Sequence, residues 1–88
     1  MIPISAQVSL YPLGREDFIE PIDAFIQVVA ESGLDHEVHS MSTVITGDDE
    51  EVYRVIQAAF AHATTYGQMV MVLTVTNACP VAPPEEKP

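Results

Sequence analysis

Basic residues are scarce in this sequence. Only Arg15, Arg54 and Lys87 oppose 13 acidic residues, so the formal net charge is −10 at pH 7. An acidic surface repels phosphate backbones, and no two of the three basic residues are neighbours that would start a basic patch. The composition therefore argues against binding to nucleic acids and against association with anionic membranes.

A second cysteine and long apolar runs are also missing. Cys79 is the only cysteine, which excludes an internal disulfide and a CxxC pair. No apolar run approaches the roughly 20 residues of a membrane-spanning helix, and residues 1–4 lack the basic start of a signal peptide. We therefore expect a soluble protein without membrane insertion, located in the cytoplasm.

The chain contains enough apolar residues to form one small domain. The chain has 88 residues, of which 48% are hydrophobic and 18% charged. This is sufficient for one core and too short for two. Four of the seven prolines fall in the last eleven residues, together with Glu85, Glu86 and Lys87. We expect a single domain over residues 1–77 and a disordered, proline-rich acidic tail over 78–88.

Periodicity in hydrophobicity predicts six elements. Apolar residues alternate with polar ones over residues 2–11, as in a half-buried strand, and recur at helical spacing from Phe18 until Ser32-Gly33. Two short strands are predicted over 35–41 and 42–46, with Gly47 ending the second. Asp48 to Glu51 has the D-x-x-E spacing of a capping box, and a second helix follows to Tyr66-Gly67. A β-branched segment over 68–77 predicts the last strand.

The order of these elements indicates the fold. A β-α-β-β-α-β order is typical of the ferredoxin-like α+β sandwich, an antiparallel four-stranded sheet with two helices on one face. The first and third strands are expected in the middle of the sheet and the second and fourth at its edges. The last strand carries apolar residues on both faces, so we expect a second copy of the chain to cover it.

Two segments carry a resemblance to a known family. They are AQVSLYPLG over residues 6–14 and MSTVITG over residues 41–47. Together they resemble the thiamine-binding, YkoF-like family, over nearly the whole chain to about Asn77. The resemblance implies a non-enzymatic domain of ferredoxin-like fold that assembles through its sheet and binds thiamine or its hydroxymethylpyrimidine moiety. Some members carry two repeats, so the single repeat here implies a homodimer or homotetramer.

The chemistry of such a ligand selects candidate residues on the open face of the sheet or at a subunit interface. A cationic thiazolium needs acidic or aromatic contacts, and an aminopyrimidine needs hydrogen-bonding groups at its edge. Tyr11 is the candidate for stacking on a ring and Asp48 for the counter-charge. The candidates for the pyrimidine edge are Gln7, Ser9, Ser42 and Thr43. Only Arg15 lies near the predicted mouth, so we expect the unphosphorylated ligand and no other cofactor.

Two other functions remain open at this point. One is an interaction module that regulates a protein partner through the open sheet face. The other is a small dimeric enzyme on the same fold, with His39 as a general base assisted by Glu37 or by a partner's carboxylate. A metal site at His36, Glu37 and His39 is not expected, because strand residues three apart point to opposite faces, and His62 lies at no recognised ligand spacing.

Overall fold

A computed structural model of the protein describes residues 2–14 and 16–78. The elements are β1 (Pro3–Pro12), α1 (Ile19–Glu31), β2 (Asp35–Val38), β3 (Thr43–Asp48), α2 (Asp49–Ala63), a short 3₁₀ turn (Thr64–Tyr66) and β4 (Met69–Thr76). The β-α-β-β-α-β order expected from the sequence is confirmed. Cys79 and the expected tail at 78–88, apart from Ala78, lie outside the described residues, as does Arg15.

The four strands form one antiparallel sheet in the order β2-β3-β1-β4. β1 and β3 are therefore the central strands and β2 and β4 the edges, as the sequence predicted. On β1 the even-numbered residues face the helices and the odd-numbered residues face the opposite, open side. The fold is the expected ferredoxin-like α+β arrangement.

The core lies between the sheet and the two helices, and its buried side chains come from β1, β3, α1 and α2. Alternation on β1 and the helical stripes of α1 and α2 bring their apolar residues to this layer. Its members are Ile4, Ala6, Val8, Phe25, Val29, Ile45, Val52, Ile56, Ala59 and Ala63. The α1 helix ends at Glu31, where Ser32 donates its hydroxyl to the Val29 carbonyl and Gly33 takes a φ of 82°. The predicted stop at Ser32-Gly33 is thus confirmed.

Two details differ from the sequence expectation. The β2 strand ends at Val38 and not at Met41, because residues 39–42 form the hairpin turn, closed by the His39 backbone N–H donating to the Ser42 carbonyl at 2.7 Å. Gly47 does not end β3 but lies within it, opposite Ile4 on β1. The ladder continues there because β1 begins early enough to pair with both Gly47 and Asp48.

The expected capping box at Asp48 to Glu51 is not formed. Asp48 occupies the N-cap position of α2, but its side chain makes no capping hydrogen bond. The neighbouring residue, Asp49, makes the hydrogen bonds at this helix start. The Ile2 backbone N–H donates to Oδ1 of Asp49 at 3.0 Å, and the Asp49 backbone N–H donates to the Ile2 carbonyl at 2.8 Å. This reciprocal pair joins the start of the chain to the start of α2.

The link between Ile2 and Asp49 predicts a pH-dependent contribution to stability. The hydrogen bond from the Ile2 N–H holds the pKa of Asp49 below its ordinary value. A carboxyl whose pKa is lowered on folding stabilises the protein above its unfolded pKa, and that stability is lost as the pH falls through the folded pKa. We expect Asp49→Asn to lower the melting temperature at pH 7 and to lower it less near pH 3. Thermal unfolding at both pH values, with Asp48→Asn as the control, checks this; an equal deficit at both would contradict it.

Candidate ligand-binding site

A cavity of about 420 Å³ opens at one end of the molecule, between α1 and the sheet. Its floor is the second half of β1, with Val8, Leu10 and Pro12 on the helix-covered side of the strand. Tyr11 also borders it, from the end of β1, where strand alternation assigns its side chain to the open face. The volume lies within the range of about 300–1,000 Å³ that small-molecule sites occupy.

One wall of the cavity is the first half of α1. Phe18, Ile22 and Ile26 recur at intervals of four residues, so they lie on one face of the helix, and Phe25 closes the inner end. Phe25 is buried in the core, whereas Ile22 and Ile26 are half-buried and Phe18 is 51% exposed. The apolar face of the helix is thus wider than the part that packs in the core. The apolar side chains outside the core, Phe18, Ile22 and Ile26, line the cavity.

The opposite wall is the hairpin between β2 and β3. Residues 38–43 all border the cavity, with Val38 and Met41 supplying apolar surface and His39, Ser40, Ser42 and Thr43 supplying polar groups. Met41 at the turn is 72% exposed. The hairpin therefore places hydrogen-bonding groups on one side of a space that is otherwise apolar.

Thr43 brings an available hydroxyl into that space. The residue is only 6% exposed, and it lies opposite Val8, so its side chain is on the helix-covered side of the sheet. Within the described part of the chain its hydroxyl makes no hydrogen bond, and no buried polar side-chain atom there lacks a partner. Because Thr43 also borders the cavity, a ligand bound there can donate to its hydroxyl or accept from it.

The lining of the cavity is free of carboxylate, ammonium and guanidinium groups. The lining contains no Asp, Glu, Lys or Arg, and Arg54, the one basic residue described, lies on α2, away from the cavity. Such a lining suits a neutral ring with polar edges and offers nothing that would neutralise a phosphate.

His39, which borders the cavity, lies beside Glu37 on the hairpin. Nε2 of His39 lies 3.2 Å from Oε1 of Glu37, and the two side chains are 54% and 66% exposed. Glu37 pairs with Val44 and so faces the open side of the sheet, while His39 begins the hairpin turn. The pair places a carboxylate beside the entrance without placing it inside.

The structure brings together three of the six residues selected from the sequence. Tyr11, Ser42 and Thr43 border the cavity. Gln7 and Ser9 lie on the open face of β1, on the other side of the sheet from the cavity. Asp48 is at the far end of β3, five residues from Thr43, a separation of about 16 Å at the usual rise of a strand.

Most of the cavity lining was not singled out in the sequence. The apolar members were assigned to the core or left aside, and they are Val8, Leu10, Pro12, Phe18, Ile22, Phe25, Ile26, Val38 and Met41. One signal was present: the apolar stripe on α1 includes Phe18, Ile22 and Ile26 in addition to the residues that fill the core. Over residues 2–14 and 16–78, no three His, Cys, Asp or Glu side chains converge as metal ligands would.

A family model described as the YKOF-related family matches residues 4–82. The chain belongs to the YKOF-related family. The match includes every strand and helix except Pro3, the first residue of β1, and it confirms the resemblance seen in the two short segments of the sequence. A search of curated proteins gives no match. In this YKOF-related chain, the described helices α1 and α2 lack the length and apolar content needed to cross a bilayer.

Solved structures share the fold of this YKOF-related chain. A hypothetical protein of Methanocaldococcus jannascii is 26% identical with a TM-score of 0.79, covering 86% of this chain and 80% of its own. A domain of unknown function from Bacillus cereus is 20% identical with a TM-score of 0.81, covering 98% and 88%. A candidate thiamine biosynthesis or salvage protein of Thermotoga maritima is 18% identical with a TM-score of 0.82, covering 97% and 95%.

Proposed function

We propose that this YKOF-related domain is a non-enzymatic binding protein for thiamine or its hydroxymethylpyrimidine moiety, in unphosphorylated form. The aminopyrimidine ring occupies the cavity between α1 and the β2–β3 hairpin. The observation that carries the proposal is the Thr43 hydroxyl, which has no hydrogen-bond partner within the described residues, beside a largely apolar cavity whose lining contains no Asp, Glu, Lys or Arg. The Thermotoga protein, a candidate thiamine biosynthesis or salvage protein of the same fold, supports the choice of ligand.

The proposed ring matches the cavity in shape and polarity. An aminopyrimidine is flat and neutral, and its nitrogens form hydrogen bonds only along the edge. Its faces pack against the apolar side chains of α1 and β1, including Ile22 and Leu10, while its edge meets Thr43 and Ser42 on the hairpin. The amino group and the ring nitrogen beside it then have hydroxyl partners, which polar atoms buried in an apolar site require.

The cationic thiazolium of thiamine lies at the mouth in this arrangement. Glu37 supplies a carboxylate there, and the net charge of −10 attracts cations to the molecule as a whole. Both members of the His39–Glu37 pair are more than half exposed, so neither has the desolvated setting that tunes a catalytic base. This exposure supports binding over the alternative of an enzyme that uses His39.

Self-association through the sheet is the second part of the proposal. On the open face, Tyr11, Val70 and Val72 are neighbours across β1 and β4 and are 44%, 45% and 50% exposed. An apolar group of this kind on a sheet face is typical of a surface that another molecule covers. We assign the cover to a further copy of the chain, in a homodimer or homotetramer.

Calorimetric titration with three ligands tests the binding proposal. Protein freed of co-purified ligand is titrated with thiamine, hydroxymethylpyrimidine and thiamine diphosphate. We expect micromolar or tighter affinity for the first two and at least about tenfold weaker affinity for the diphosphate, a difference of about 1.4 kcal/mol. No heat and no thermal shift with any of the three would overturn the proposal. Equal or tighter diphosphate binding would overturn the restriction to unphosphorylated ligands.

The role of Thr43 gives a separate prediction. In Thr43→Val the shape is kept and the hydroxyl is lost, so a hydrogen bond worth about 0.5–1.5 kcal/mol disappears from the complex. We expect the affinity for hydroxymethylpyrimidine to fall about 2- to 12-fold, with the melting temperature of the free protein unchanged or raised. The control is Thr46→Val, on the same strand but the open face. Equal affinities for the two variants would exclude Thr43 as a ligand contact.

A further inference from the structure

One methionine of the described chain borders the cavity, at the most exposed point of its lining. Met41 lies in the turn of the β2–β3 hairpin, where the His39 backbone N–H donates to the Ser42 carbonyl. Met41 is 72% exposed, whereas Phe25 at the inner end of the cavity is 2% exposed. The Met41 side chain therefore belongs both to the cavity and to the solvent-exposed surface.

The turn that carries Met41 lies opposite another exposed apolar side chain. Val38 and Met41 are on the hairpin and Phe18 is on the facing wall, at the start of α1, and each is more than half exposed. Burying such surface against a ligand is favourable. β2 is a four-residue edge strand whose residues are all exposed, and segments with few buried contacts shift at low free-energy cost. The turn can therefore move inward and bury Met41 against a bound ring.

Methionine suits such a cover and also makes it sensitive to oxidation. The side chain is unbranched and flexible, and its sulfur makes favourable contacts with aromatic rings, so it adapts to the face of a pyrimidine. Peroxides convert the thioether to a sulfoxide, which is polar and accepts hydrogen bonds. A sulfoxide buried against ring faces and Phe18 loses its hydrogen bonds to water, and that loss opposes closure of the turn.

We propose that the oxidation state of Met41 controls the affinity of the site: the thioether covers the bound ring, and the sulfoxide does not. This inference rests on the proposed function and concerns the regulation of that same site. With hydrogen peroxide as the oxidant, a sulfur lone pair attacks one peroxide oxygen, so that an S–O bond forms and the O–O bond breaks. The other oxygen leaves as water with both hydrogens, and the sulfur is oxidised by two electrons.

The other methionines of the described chain differ from Met41 in both respects. Met69 and Met71 are half-buried on β4, and neither borders the cavity. Their oxidation is expected to be slower, and a sulfoxide there does not meet the ligand. They therefore serve as internal controls for any effect of peroxide on ligand binding.

Oxidation of the wild-type protein tests the proposal. Peroxide is added until the tryptic peptide 16–54, in which Met41 is the only methionine, has gained about 16 Da. We expect the calorimetric affinity for hydroxymethylpyrimidine and thiamine to fall about 5- to 20-fold, and methionine sulfoxide reductases A and B to restore it. Unchanged affinity after oxidation would overturn this inference and leave the proposed function intact. Absence of binding before oxidation would overturn both.

Protection by the ligand gives a second test on the same protein. If the bound ring is covered by Met41, saturating hydroxymethylpyrimidine slows oxidation of peptide 16–54 by at least about fivefold, because the sulfur is then buried. Oxidation of peptide 55–88, which contains Met69 and Met71, keeps its rate. Equal rates at Met41 in the free and the saturated protein would overturn the inference.

Two variants separate Met41 from the other oxidisable residues. Met41→Leu retains Met69, Met71 and Cys79 but has no sulfur in the hairpin. We expect peroxide to change the affinity of this variant by less than about twofold relative to its own untreated sample, since leucine is not oxidised. Met41→Gln, which has a polar group on a chain of similar length, is expected to bind as weakly as the oxidised wild type. A loss of affinity in treated Met41→Leu equal to that of wild type would overturn the proposal.

Discussion

Replacing Ile22 with tryptophan is expected to reduce the affinity for thiamine by about 30- to 150-fold, or 2–3 kcal/mol. Ile22 lies in the middle of the α1 wall and is half-buried at the cavity. The indole ring occupies the space that the pyrimidine needs, and filling an existing cavity tends to stabilise the free protein. Affinity should therefore fall while the melting temperature stays level or rises. This opposition of effects separates a blocked site from a damaged fold.

The control for this prediction lies on the same helix. Ile19 is 67% exposed and does not border the cavity, so Ile19→Trp adds the same ring away from the ligand. We expect its calorimetric affinity to remain within about twofold of wild type, or about 0.4 kcal/mol. If Ile22→Trp bound as tightly as Ile19→Trp, the ligand would not be in this cavity.

Truncation of Ile45 is expected to have the largest effect on stability. Ile45 is fully buried at the centre of β3, opposite Ala6 on β1 and His36 on β2. Ile45→Ala removes three carbons and leaves a void in the core between the sheet and the helices, at a cost of about 2–5 kcal/mol. For a domain whose total stability is in the range of about 5–15 kcal/mol, this is a large fraction. Urea unfolding followed by circular dichroism measures the loss.

Val44 provides the comparison for Ile45. It is the neighbouring residue on the same strand, but it is half-buried and faces the open side. We expect Val44→Ala to cost about 1 kcal/mol, close to the usual value for a point substitution. Both variants must be compared at one protein concentration, because self-association makes apparent stability depend on concentration. Equal losses would contradict the placement of the core on the helix side of β3.

The element order and the core were predictable because local periodicity determines them. Alternation on β1 identified the buried face that contains Ile4, Ala6 and Val8, and helical spacing identified Val52 and Ile56 on α2. The start of α2 was less predictable. The sequence pattern of a capping box at Asp48 is local, whereas the contact that forms at Asp49 comes from Ile2, 47 residues away. No local pattern contains that information.

The candidate site was only partly predictable for a similar reason. Alternation tells which residues of a strand share a face, and so it grouped Gln7 and Ser9 with Tyr11. It does not tell where a helix leaves space above the sheet, which depends on how α1 packs across β1 and on where the hairpin turns. The polar residues of the hairpin, Ser42 and Thr43, were identified by chemistry, but the apolar wall that makes them a pocket is a result of tertiary packing.

Mapping the bound ligand by nuclear magnetic resonance tests the central claim most directly. In the wild-type protein saturated with hydroxymethylpyrimidine, we expect chemical-shift changes and intermolecular contacts at Ile22, Ile26 and Thr43 around the cavity. Residues of the open face, such as Gln7 and Thr74, should remain unchanged. Contacts from the ligand to Gln7 and Ser9, with no change along α1, would contradict the account and place the ligand on the open face of the sheet.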